Sequence, residues 1–246
     1  MQRSEIIEYL EELFSFTKEK EKYATNGLQL EGCAEVSKLA FAVDATSATI
    51  SKAIETQADM LICHHGLFWP SIRSITGPLK KQIGLLLQHD ISLVGMHLPL
   101  DKHPEVGNNI SMIRLLQGKC LGEIASVSYL AEWPELRSLT SIKHDLEKQL
   151  STQVRLFDFS KGQAKTFAVC TGSGSSELYS IFSQNCDLFI TGEIRYEIIN
   201  QCKEYGVSLM AAGHYATETT GIQSLQKRMA DDLALDTVYI EDRIAY

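Results

Sequence analysis

The chain predicts an α/β fold of two domains related by internal duplication, and three observations carry that expectation. Short apolar runs alternate with stretches of helical periodicity, a pattern that implies mostly parallel or mixed sheets. The order of elements in the first half returns in the second. Several apolar runs also end in histidines or carboxylates, at the place where open α/β sheets hold their ligands.

In chain order, Ser4 is the expected N-cap of a first helix, with Ile6, Ile7, Leu10, Leu13 and Phe14 at helical spacing. The polar segment 17–22 ends it. Asn26-Gly27 signals a turn into a short alternating strand. Residues 38–43 form an apolar strand, and Asp44-Ala-Thr-Ser47 then caps a helix reaching about Thr56. Residues 58–63 read as a buried strand that delivers His64 and His65, with Gly66 free to turn sharply behind them. A helix over 78–88 and a strand over 91–96 follow. That strand leads into His97-Leu-Pro-Leu-Asp101, where Pro99 predicts an extended or turned segment rather than a helix. The irregular stretch 122–134 is the expected linker, continuing through a helix at 136–150.

The second half repeats this plan. Phe41-Ala-Val43 aligns with Phe167-Ala-Val169 at an offset of 126 residues, and 59–65 aligns with 187–193 at an offset of 128. Residues 91–94 align with 207–210 at 116, and His97-x3-Asp101 with His214-x3-Glu218 at 117. Apolar strands align easily by chance. Four matched segments in one order, with polar residues at corresponding ends, nevertheless favour duplication. The expected domains are 1–124, completed by the C-terminal segment 221–246, and 125–220.

Composition bounds the function. Of 246 residues 44% are hydrophobic and 22% charged, which suits a sizeable core. No apolar run approaches the roughly 20 residues that cross a bilayer, and the acidic, amphipathic N-terminus does not read as a secretory signal. The formal net charge of −8 repels polyanions and argues against a general nucleic-acid partner, a DNA-processing role included. The six cysteines lack CxxC spacing, and several lie in apolar runs. Buried thiols in a reducing cytoplasm fit them better than disulfides or a cysteine zinc site.

The chemistry collects at the strand ends: His64 and His65, His97 and Asp101, Glu193, then His214 and Glu218. Adjacent strand residues point to opposite faces, so His64 and His65 could reach two ions, or an ion and a substrate. One could instead be a solvent-facing histidine beside a core one. His214 and Glu218 stand at i and i+4 of an expected helix and share a face; the rival explanation is a surface ion pair. Asp101 is either a ligand or a loop carboxylate. His97 is divided between proton transfer and a structural hydrogen bond, and Glu193, at the repeat position of His65, is a candidate for orienting a ligand. His89, His103 and His144 lie in polar surroundings and read as surface residues. Mixed imidazole and carboxylate donors suit zinc, iron, manganese or nickel, and five of them suffice for a two-metal site.

Asn26-Gly-Leu-Gln29, Cys63-His-His-Gly66, Gly95-Met-His-Leu-Pro-Leu-Asp101, Thr191-Gly-Glu193 and Gly213-His-Tyr-Ala-Thr-Glu218 together closely resemble the Nif-three-like dinuclear-metal family, whose members are labelled GTP cyclohydrolase I type 2 homologues. The resemblance runs from about residue 5 to the C-terminus. It implies two α/β domains with two divalent ions in the cleft between them, and a toroidal homohexamer. By matching motifs, His64, His65, Asp101, His214 and Glu218 would be the metal ligands, with Glu218 bridging. The chain is similar to the short form of the family, without the inserted domain of longer members.

Two functions follow as expectations. The first is a metal-dependent hydrolase, cyclohydrolase-like or acting on a nucleotide-like or phosphoester substrate through an activated water, with His97 as proton carrier. Against a nucleoside triphosphate stands the absence of a P-loop; Arg73 and Arg195 are the nearby candidates for phosphate. The second is a non-catalytic metal-binding or assembly protein, whose signature would be a filled coordination sphere and no pocket for an organic molecule.

Overall fold

The computed structural model describes residues 1–18 and 21–243. Glu19 and Lys20, in the expected helix-ending segment 17–22, and residues 244–246 of the expected closing segment lie outside them.

The elements begin with α1 (Arg3–Phe14), β1 (Gly27–Leu30), β2 (Lys38–Asp44), α2 (Ser47–Glu55), β3 (Met60–His65), α3 (Gly77–Gln88), β4 (Ser92–Gly95) and α4 (Leu98–Lys102). They continue with α5 (Asn108–Leu115), β5 (Lys119–Glu123), β6 (Tyr129–Ser138), α6 (Leu139–Leu150), β7 (Arg155–Phe157) and β8 (Gln163–Cys170). After a short 3-10 turn come α7 (Leu178–Phe182), β9 (Leu188–Thr191), α8 (Tyr196–Tyr205), β10 (Ser208–Ala211), α9 (His214–Leu233) and β11 (Asp236–Tyr239). The fold is mixed α/β with two sheets, as the alternating pattern predicts.

The chain forms two compact units, Met1–His103 with Ile222–Asp242, and Pro104–Gly221 with Arg243. Segment 104–124, expected with the first domain, belongs to the second unit for a packing reason. Ile110, Met112 and Ile113 of α5 join the core built on Trp133 and Phe167, and β5 pairs with β6. The expected linker 122–134 is therefore a strand hairpin. Pro134 is tolerated within β6 because the β6–β8 register is interrupted between Glu132 and Arg137, so no ladder donor is lost there.

The first unit's sheet runs β1-β4-β3-β2-β11, parallel except for edge strand β1. The second runs β5-β6-β8-β9-β10-β7, with β8, β9 and β10 parallel and its outer strands antiparallel. Buried residues of the inner strands alternate between two apolar clusters: Phe167, Val169, Ile190 and Met210 in one, Ala168, Cys170, Phe189 and Leu209 in the other. Burial on both faces makes such strands near-continuous apolar runs.

The duplication shows in the register. Met60 pairs with Ser92 as Leu188 pairs with Ser208, and Leu39 with Met60 as Phe167 with Leu188. The same anchor recurs. Asp59 accepts from the Ser37 N–H and hydroxyl (2.7 Å each) and the Lys38 N–H (3.0 Å). Asp187 accepts from the Lys165 N–H (2.8 Å), the Thr166 N–H (2.9 Å) and the Thr166 hydroxyl (3.0 Å). Strand β8 thus matches β2 at an offset of 128, so the Phe-Ala-Val alignment at 126 is out of register by two residues. Side chains alternate with period two, and a slip of two leaves the same residues on the same faces.

Two local expectations are corrected. The N-cap of α1 is Gln2, in a capping box closed by Glu5, whose carboxylate accepts the Gln2 N–H at 2.7 Å. Segment 98–102 is helical, because Pro99 falls in its first turn, where a missing N–H costs nothing.

Asp59→Ala and Asp187→Ala should each lower the free energy of unfolding by about 1–3 kcal/mol, since each strips several backbone and hydroxyl donors of one acceptor. Burial opposes charge on Asp59, but its three donors outweigh that and hold the carboxyl below its ordinary value. Its contribution is therefore complete above the usual carboxylate range and lost as pH falls through the depressed value. Urea denaturation at neutral and acid pH checks both; equal stability of wild type and Asp59→Ala at pH 7 would contradict it.

Candidate metal centre

Three parallel strand ends build the candidate site of the first unit. Strand β3 carries His64, fully buried, and His65, half-buried. Its neighbours supply the acceptors that orient them. The His64 Nδ1–H donates to the Met96 carbonyl just beyond β4, at 2.9 Å. A carbonyl can only accept, so Nδ1 carries a proton. His65 Nδ1 lies 2.8 Å from Asp44 Oδ1 at the end of β2, the residue opposite it in the ladder. His97 follows β4, with Nδ1 2.7 Å from Glu21 Oε1. Burial opposes charge on Glu21, but His97, the Asn26 amide and the Leu98 N–H outweigh it and hold its carboxyl below the usual value.

The rings gather closely. Ring centroids of His64 and His65 lie 4.5 Å apart, with His97 5.3 Å from the first and 5.5 Å from the second. Each offers one ring nitrogen, and these lie within 4.8 Å of one another, so the group could hold a metal ion. Asp101, buried in α4, brings Oδ1 to 3.7 Å from His64 Nε2. Strand alternation would send adjacent side chains apart; at the last two residues of β3 the rings instead remain in contact.

In the second unit His214 opens α9 and stands between two carboxylates. Its Nε2 is 3.0 Å from Glu218 Oε1, one turn on, and its Nδ1 is 3.2 Å from Glu193 Oε2. Burial disfavours the imidazolium, but Glu218 and then Glu193 outweigh it and raise the pKa to about 9. Glu218 is buried under Gly172, which has φ +61; a Cβ there would strike Glu218 Oε1, so both conformation and space require glycine.

Sequence reasoning missed Asp44 and Glu21, the partners of His65 and His97. Asp44 reads locally as a helix cap, a role that Thr46 fills by accepting from Thr49 N–H. Its position at a strand end beside a histidine strand was the usable signal. The role of Asn26-Gly-Leu-Gln29 was also hidden. Asn26 accepts the His97 N–H at 2.7 Å, and Gln29 Oε1 accepts the Leu67 N–H at 2.8 Å. A Cβ on Gly66 would occupy the space of the Gln29 amide.

Histidines and carboxylates grouped at strand ends, with a second set of acceptors behind the rings, make this an α/β protein whose residues could hold a metal ion. The family model Duf34/NIF3 (NGG1p interacting factor 3) matches residues 1–243, and the chain belongs to that family. A Pyrococcus abyssi protein named GTP cyclohydrolase 1 type 2 homolog is 38% identical over 247 residues, covering 98% of each chain. Among solved structures, one described as protein ybgI, of unknown function, has a TM-score of 0.96 at 33% identity. The protein TTHA1606 from Thermus thermophilus has 0.94 at 32%, and both cover 100% of each chain. Among the described residues no helix is long and apolar enough to cross a membrane.

In metal-free protein the raised His214 pKa sets a sign. Its contribution to stability is complete below the ordinary histidine value of 6.5 and is lost as pH rises through about 9. An NMR titration should find the His214 ring midpoint near 9, and His214→Gln should flatten stability over that interval. A midpoint near 6.5 would contradict the two-carboxylate clamp.

Proposed function

We propose that the protein is a metal-dependent hydrolase in which His64, His65, Asp101, His214 and Glu218 hold two divalent ions and act on a nucleotide-like or phosphoester substrate. The observation that carries this is the anchoring of His64 and His65 through Nδ1, each against an acceptor from another segment. Metal-ligating histidines are held in this way, because it fixes the tautomer and turns Nε2 toward the ion. The nitrogen and oxygen donors fit zinc, iron, manganese or nickel. When bound, the ions would supply Lewis acidity and a water that ionises near neutral pH. The names of relatives as GTP cyclohydrolase 1 type 2 homologs support the same direction.

The chain's own groups would manage protons. Glu21 holds the Nδ1 side of His97, which leaves Nε2 to accept a proton from a reacting group. Glu193 holds the Nδ1 side of His214. Between Glu193 and Glu218 the His214 ring is stabilised as imidazolium, so metal uptake there must release a proton and strengthens with rising pH. A non-catalytic metal-holding role would leave no room for an organic molecule. A cavity of about 460 Å³ lined by Glu21 and Trp69 speaks for a substrate instead.

Metal-loaded protein incubated with nucleotides and generic phosphodiesters should turn over at least one of them, and His64→Ala/His214→Ala should abolish that turnover and most metal uptake. Retained turnover in the double variant would overturn the assignment. Asp44→Ala removes no proposed ligand, yet it should weaken metal affinity about 10–100-fold in a competitive chelator titration.

A further inference from the structure

The cavity beside the first unit's histidines lies between the loop after β3 and the segment before β1. Its volume of about 460 Å³ falls in the range of about 300–1,000 Å³ typical of small-molecule sites. Its walls are tied together. Gln29 accepts from the Leu67 and Phe68 N–H groups at 2.8 and 3.3 Å and donates to the Thr25 carbonyl at 2.5 Å. The Thr25 N–H donates to the Phe68 carbonyl at 3.2 Å. Trp69 is pinned as well, its indole N–H donating to the Gly66 carbonyl at 3.1 Å.

The lining has a definite chemistry. Phe68, Trp69 and Pro70 contribute apolar surface, and Lys22 and Arg73 contribute cations, one Arg73 nitrogen donating to the Pro70 carbonyl at 2.6 Å. Among the described residues Glu21 is the one carboxylate in the lining, and its oxygens are occupied by His97, Asn26 and Leu98. The Trp69 ring centroid lies 5.3 Å from that of His97 and 5.9 Å from that of His65. One indole is thus both a cavity wall and a neighbour of the histidine cluster.

We propose that this cavity seats the planar heteroaromatic ring of an anionic substrate, stacked on Trp69, with the anionic group held by Arg73 and Lys22. Stacking on an indole is tolerant of ring identity, since every base has a π-face, whereas the cations select for phosphate. The ring rather than the phosphate is then set beside His97. This deepens the hydrolase assignment above and rests on it for the word substrate; the binding itself needs no metal.

The test uses the full chain, chelator-treated, with adenosine 5′-monophosphate, adenosine and ribose 5-phosphate as probes, read by calorimetry and by tryptophan emission. Trp133 is buried against Phe167, so quenching on ligand addition reports Trp69. The mononucleotide should bind and quench, and ribose 5-phosphate should bind at least about tenfold more weakly. Trp69→Ala should lose about tenfold or more, with Trp69→Phe retaining most of the affinity. Arg73→Ala should weaken the mononucleotide but not adenosine. Should Trp69→Ala fail to fold, as judged by Trp133 emission, the Arg73→Ala comparison and wild-type quenching decide. No binding of the mononucleotide, equal binding of ribose 5-phosphate, or an unaffected folded Trp69→Ala overturns the proposal. Metal content of separately reloaded samples keeps the two failures apart: metal uptake without nucleotide binding removes the ring site and spares the metal site, and the reverse result does the opposite.

Discussion

Three imidazoles are held by their Nδ1 atoms, and the rest of the first unit's site depends on that constraint. A free imidazole at a strand end has two tautomers and a rotating ring. The Met96 carbonyl, Asp44 and Glu21 each remove that freedom. Two of the acceptors come from the end of β2 and from the residue just beyond β4, so parallel pairing of β3 with β2 and β4 is what brings them into place. Sheet topology and ligand chemistry are therefore one arrangement. The ladder that buries Leu61 and Ile62 also sets the tautomer of His64.

The second unit reuses the frame and changes the tips. Its Asp187 anchor and its β9–β10 register copy those of Asp59 and β3–β4. In the equivalent register, however, Asp44 becomes Gly172 and His65 becomes Glu193. Loss of the side chain at 172 opens the space that Glu218 fills. The duplicated scaffold thus supplies imidazoles from one copy, and a carboxylate-clamped imidazole from the other.

Much of this was legible from residues alone, for identifiable reasons. Buried parallel strands announce themselves as apolar runs, and the histidines at the end of such a run stand out from it. The His214-to-Glu218 spacing needs only a helix. What stayed hidden was long-range or degenerate. Glu21 lies far from His97 in the chain, in a polar stretch that reads as a simple helix exit. Asp44 has a ready local explanation as a cap. The hairpin of β5 and β6 was obscured by Gly122 and Pro134, whose usual reading as breakers gives way to a ladder interrupted where Pro134 sits. The two-residue slip between β2 and β8 could not be seen at all, because a period of two conceals it.

The most direct measurement is anomalous diffraction at the metal edge from crystals grown with excess zinc or manganese. Two peaks per chain are expected, with His64 and His65 bound through Nε2 while their Nδ1 atoms stay on Met96 and Asp44. Ions bound through Nδ1, or an absence of peaks at these side chains, would contradict it.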